Sequence, residues 1–185
     1  MVKSRLTAVL MTLVLALTSS MTTRPALAAS AAEINRDANA VLAKLYERHP
    51  ASKKMAAQAK AILVFPSIYK AGFMFGAQYG EGVLRKGNKS VGYYNTVAAS
   101  YGWQAGAQAF GYALFFMNDG ALSYLDKSGG FEVGVGPSIV VMDEGAGKST
   151  TSSTLTQDIY AFIFDQKGLM AGAGLQGSKI SKIDK

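Results

Sequence analysis

The stretch that most constrains this chain is Ile62 to Leu84, ILVFPSIYKAGFMFGAQYGEGVL. From Gly72 onward it alternates with period two. Phe73, Phe75, Ala77 and Tyr79 fall on one face, and Gly72, Met74, Gly76, Gln78, Gly80 and Gly82 on the other. That period predicts a strand with two unlike faces. Glycine weakens a strand, because it has no side chain to pack and loses much entropy on folding. Four glycines on one face therefore predict either close approach of another backbone or a sharp bend.

The same word recurs. GFMFGA begins at Gly72, GWQAGA at Gly102 and GLMAGA at Gly168. The intervals are unequal, which excludes a solenoid of regular repeats. Three strands meeting one structural demand in a curved sheet explain the echo.

Around these words, three longer runs appear in order: AKAILVFPSIYKAGFMFGAQYGEGVL, GWQAGAQAFGYALFFMNDGAL and DIYAFIFDQKGLMAGAGLQGSKISKI. Together they resemble the SYLF-domain family over roughly Ala32 to Ile183. The eukaryotic proteins of that kind are lipid-binding and actin-associated at endocytic sites, and the bacterial ones are small exported proteins of lipid-binding type. The resemblance implies binding, with no established catalysis, and no cofactor is expected. It also sets Lys70, in Tyr69-Lys70-Ala71-Gly72-Phe73, at the position of a lysine in the family pattern. Actin binding belongs to the eukaryotic relatives and is not carried over to an exported chain.

The first 28 residues read as a secretory signal peptide. Lys3 and Arg5 give a positive start, Leu6 to Leu17 a short apolar core, and Ala26-Leu27-Ala28 a small-x-small cleavage site. The core is shorter than the ~20 residues of a spanning helix. Residues 29–185 then form one SYLF-like domain, expected in the periplasm or associated with the cell envelope. With no cysteine there is neither a lipoprotein attachment site nor a disulfide. The leader holds three basic residues and no acid, so its removal lowers the formal charge from +7 to +4. The remainder is mildly basic, which permits contact with anionic lipid without demanding it.

All 20 glycines lie between Gly72 and Gly177. The glycine-free part before them reads as helix. Ser30 and Glu33 form a capping-box pattern, followed by Ile34, Ala38, Val41, Leu42 and Leu45 at helical spacing. His49-Pro50 stops that helix, and Ser52 is placed to cap a second one. Downstream the reading is mostly strands: a hairpin through Arg85–Lys89, runs over 91–98 and 101–117, and a short helix over 121–127. A strand over 131–142, a polar loop over 143–156 and a last hairpin turning at Asp165–Gly168 follow. The fold class is α+β, with N-terminal helices packed on a strongly curved, glycine-rich, barrel-like antiparallel sheet.

Catalytic signals are sparse, and the chain is read as a non-enzyme. His49 is the single histidine, and without cysteine there is no Cys-His pair and no thiolate metal site. Gly145–Thr150 imitates the end of a phosphate loop, but Met142 stands where the first glycine belongs. Asp143 and Glu144 lack the spacing of a calcium loop. The aromatics from Tyr93 to Phe116 belong mostly to a core. With basic residues they could also mark a nucleic-acid surface, which export argues against.

The binding reading rests on cations. Lys53, Lys54 and Lys60 lie around the second helix, with Lys70 and the Arg85/Lys86/Lys89 turn as a second contact. The expected partner is an anionic lipid or membrane surface, with no nucleic acid and no metal. A cell-envelope structural or protein-interaction module without a specific lipid ligand is the alternative.

Overall fold

The computed structural model describes residues 28–127, 130–142, 156–167, 175 and 177–185, and the side chains of these save at 73, 74, 100–106, 166 and 167. The N-terminal segment up to Leu27 expected to be a leader, the 143–155 segment with its imitation phosphate loop, and the GLMAGA word at 168–173 lie outside the described residues. Two helices, α1 (Ala31–Arg48) and α2 (Pro50–Gln58), precede the long strands β1 (Ala61–Lys86) and β2 (Lys89–Phe116). Then come helix α3 (Asp119–Leu125) and strands β3 (Phe131–Glu132), β4 (Ile139–Met142), β5 (Ile159–Lys167) and β6 (Lys179–Ile183). This is the α+β arrangement expected, a helical start followed by a strongly curled half-barrel.

The capping box at the start of α1 forms as read. Ser30 Oγ accepts from the Glu33 N–H, and the Glu33 carboxylate accepts from the Ser30 N–H at 2.8 Å. Ile34, Ala38, Leu42 and Leu45 are buried along one stripe. Three large apolar side chains there contribute on the order of 5 kcal/mol of burial, so packing rather than propensity holds the helix. The start of α2 differs from expectation. His49 occupies the cap position with Pro50 first in the helix, and Ser52 is buried, its Oγ donating to the His49 carbonyl at 2.6 Å. Proline suits a first helical turn because its missing N–H has no partner there anyway.

β1 and β2 form one long antiparallel hairpin, from Ala61↔Phe116 to Lys86↔Lys89. The 91–98 and 101–117 runs are thus a single strand. The free edge of β2 takes two partners. β5 pairs with its later half, over Ala109 to Phe116, and β6 with its earlier half, over Tyr93 to Val97. β5 and β6 are thus two strands docked on one neighbour, while most of the second strand expected of the closing hairpin, over 169–180, lies outside the described residues. The expected strand over 131–142 is two short pieces on different neighbours: β3 beside β6, and β4 parallel to β5. Positive φ at Gly134 and Gly136 breaks it between them. The parallel pair makes the sheet mixed rather than purely antiparallel.

The sheet doubles over on itself, and the glycines show how. A Cβ built on Gly80 lies 2.9 Å from the Ser67 carbonyl oxygen, and one on Gly82 meets the Val64 carbonyl and the Phe65 ring. The second half of β1 thus lies against the backbone of its first half. Gly72 sits at the bend itself, where a Cβ would collide with the Phe75 carbonyl and the Gly76 Cα. Both predicted causes, close approach and bending, operate in one strand. The first two glycine words face each other there, with Gly72 opposite Gly106 and Gly76 opposite Ser100. Across the fold, Tyr112 donates to Thr96 Oγ1 at 3.0 Å, tying the two halves of β2 together inside the core.

Burial alternates accordingly. Leu63, Phe65, Tyr112, Leu114, Phe116 and Ile159 point into the doubled sheet, while Ile62, Val64, Ala113, Phe115 and Phe162 lie under α1 and α2. A strand buried on both faces reads as an unbroken apolar run, as ILVF does. A bulge between Phe65 and Ile68, at Pro66, then switches the parity. Beyond it the even positions Ile68, Lys70, Gln78, Gly80 and Gly82 turn inward and Tyr69, Phe75 and Tyr79 outward.

Gly82→Val and Gly72→Val should each destabilise by about 2–4 kcal/mol, because the obstructing atoms include backbone that cannot step aside. Denaturant unfolding checks this. Transitions unchanged within error would show that the fold-back does not exist.

Candidate functional site

The cations singled out in the sequence separate into three places. Lys53 and Lys54 are exposed on α2, a helix with no acidic residue, and neither makes an ion pair among the described residues. Lys60, just before β1, is also exposed but stands 3.7 Å from the Asp119 carboxylate. Lys86 and Lys89 are exposed at the hairpin turn. Arg85 is spent internally: its guanidinium donates to Asn39 Oδ1 and, at 3.0 Å, to the Asn88 carbonyl. It clamps the turn to the middle of α1, while α2 follows the C-terminal end of that helix.

Lys70 stands apart. Its residue is 9% exposed, on the inward face of β1 opposite Gln108. The parity switch at Pro66 causes this, since it carries Lys70 to the same side as Ile68. An inward lysine cannot lie flat on a docking surface with the α2 lysines.

The structure also sorts the aromatics. Tyr94, Tyr112, Phe115 and Phe116 are buried, Tyr93 and Phe110 partly so, and the side chains of Tyr101 and Trp103 lie outside the described residues. The exposed ones lie near the bend of β1: Tyr69 at 67%, Phe75 at 70% and Tyr79. Their alternation was visible in the sequence. Which face met solvent was not, because that depends on the fold-back and the bulge.

A second feature escaped sequence reading altogether. Between α1 and β1 is a cavity of about 290 Å³, lined by Ala28, Ala29, Asp37, Tyr69, Tyr79 and Glu81 among others. At its wall the Glu81 carboxylate, only 9% exposed, accepts from Lys185 Nζ at 3.0 Å on both oxygens, from Tyr79 Oη at 2.7 Å and from the Ala29 N–H at 3.0 Å. Lys185 Nζ also donates to the Ala29 carbonyl at 2.8 Å. Burial pushes the Glu81 carboxyl up. The hydrogen bonds from Tyr79 and Lys185, the Lys185 charge and the Ala29 N–H together outweigh it and hold the group below its ordinary value. Partial burial, with the carboxylate beside it, pushes the Tyr79 phenol up to about 12.

His49 caps α2 through its backbone and tilts its ring toward Phe162, 6.1 Å between centroids. Among the described residues there is no cluster of His, Asp and Glu able to hold a metal ion, and no helix long and apolar enough to cross a membrane.

Because the folded Glu81 titrates below its unfolded value, its contribution to stability is present above about pH 4.5. It is lost as pH falls through the lower folded value. Thermal melts of the native chain and Glu81→Gln should differ by a constant amount above pH 5, and the gap should narrow from pH 4 to pH 3. A gap unchanged down to pH 3 would contradict this.

No curated protein matches the chain. Residues 97–185, from the first half of β2 through β6, match the family model described as Ysc84, Las17-binding protein actin regulator. Over those residues, somewhat less than half of the chain, the match supports the resemblance to the SYLF family.

Proposed function

We propose that this is an exported, non-catalytic domain that binds anionic membrane surface reversibly once residues 1–28 have been removed. The observation carrying this is the pair of unneutralised cations on α2, Lys53 and Lys54, on a helix that holds no acid. Lys86 and Lys89 form a separate exposed cationic pair at the hairpin turn. Each lysine near an anionic surface contributes about 1 kcal/mol, fading within a Debye length, so four that reach one surface give weak, salt-sensitive attachment. The apolar side of α2 is thin. Met55 is buried against the fold and Ala56 half-buried, which supports surface contact rather than deep insertion. The exposed Tyr69, Phe75 and Tyr79 have the amphipathic or apolar character suited to a headgroup layer. The resemblance to a lipid-binding family points the same way.

One observation favours the alternative, an envelope structural or protein-interaction module. The exposed Tyr69, Phe75 and Tyr79 near the bend of β1 are equally the kind of aromatic patch that a protein partner covers.

Flotation with liposomes of graded anionic content distinguishes the two. Binding should rise with anionic fraction, fall with salt, and drop sharply in Lys53→Glu/Lys54→Glu and further when Lys86→Glu/Lys89→Glu are added. Equal flotation of all forms would move the contact elsewhere. No flotation of any form would favour the interaction module.

A further inference from the structure

We propose that Glu81 is the receptor for the α-ammonium group of Ala29, released when the leader is cut from the chain. This rests on the reading of residues 1–28 as a leader. It adds that the fold has a prepared seat for the new terminus. Cleavage adds water across the Ala28–Ala29 amide. Ala28 leaves as a carboxylate, and the nitrogen, keeping its bond to Ala29, gains the protons that make it an ammonium. That nitrogen already donates to Glu81 Oε2 at 3.0 Å, so the amine forms where its counter-charge stands.

The surroundings favour a charge at that nitrogen. Glu81 is held almost out of solvent by Tyr79 and by Lys185, whose own side chain is 11% exposed. Asp37 of α1 lines the same cavity. The next amide, at Ser30, donates to the Glu33 carboxylate at 2.8 Å. Glu81 is the carboxylate in contact with that nitrogen, Asp37 is already paired with Arg36 at 2.9 Å, and Lys185 is the one cation in hydrogen-bond contact with Glu81 among the described residues. Processing turns an amide-to-carboxylate bond, charged on the acceptor side alone, into an ammonium–carboxylate pair charged on both sides, so the joint tightens. Ala28 is exposed and Ala29 half-buried, which leaves the scissile side toward solvent and the retained side docked.

The test begins with the exported protein, its N-terminus read by sequencing and intact mass. The acylation rate of the α-amine by an N-hydroxysuccinimide ester at pH 7 is then followed by peptide mass spectrometry, with surface lysines as internal reference. The native amine should react about tenfold more slowly than that of Glu81→Gln, corresponding to a rise of one pKa unit. Lys185→Gln keeps the carboxylate and removes the competing cation, so its amine should be at least as protected as the native one. Should Glu81→Gln not fold, the pH–rate profile of the native amine decides. A midpoint at or below the ordinary value of roughly 7.7–8.0 would overturn the proposal. An N-terminus other than Ala29 would remove the leader reading and this inference with it. Ala29 at the terminus with equal rates in native and Glu81→Gln would overturn the inference alone.

Discussion

The fold depends on one contact: backbone lying against backbone within a single strand. β1 can double back only because Gly80 and Gly82 present no side chain to the carbonyls of Ser67 and Val64. β2 follows it around the bend in register, and β5 and β6 then find a curved edge rather than a flat one. The core inside the doubled sheet, with Phe65, Tyr112 and Phe116 at its centre, exists only because the two halves come that close. An interior packed to crystalline density gives no room for even one added methyl at such a crossing.

The helices occupy the opposite face. α1 seals the apolar outer side of the curled strands, and polar contacts set its position along them. Asn35 donates to the Tyr93 hydroxyl at 2.7 Å, Asn39 accepts from Arg85, and Arg48 approaches Asp165 at 3.9 Å. Exposed ion pairs such as the last are worth little. The neutral and charge-assisted bonds near the turn carry more of the positioning. They also engage Arg85, expected as a surface cation, in holding the turn against α1.

Much of this was legible in the sequence, and the physics marks where legibility stopped. The capping box at Ser30 and Glu33, the stripe from Ile34 to Leu45 and the two faces of β1 are local patterns, and local patterns survive folding. The parity switch at Pro66 was not visible, and it alone turned Lys70 inward. The parallel pairing of β4 with β5 and the splitting of β5 from β6 across two halves of one strand are long-range choices that no window of residues contains. The same holds for the Glu81–Lys185 pair, whose members lie 104 positions apart.

The hairpin has a kinetic meaning as well. Lys86 and Lys89 close the shortest loop in the sheet, while Ala61 and Phe116 close the longest within the same ladder. Pairing can therefore start at the Gly87-Asn88 turn and proceed outward one rung at a time, each rung shortening the loop the next must close. The bends fall midway along that zipper. Until they form, both long strands are extended and their free edges open, as in the species from which edge-to-edge association begins. The glycine words that make the fold compact are thus also the checkpoint at which a growing ladder either curls on itself or remains available to a neighbour.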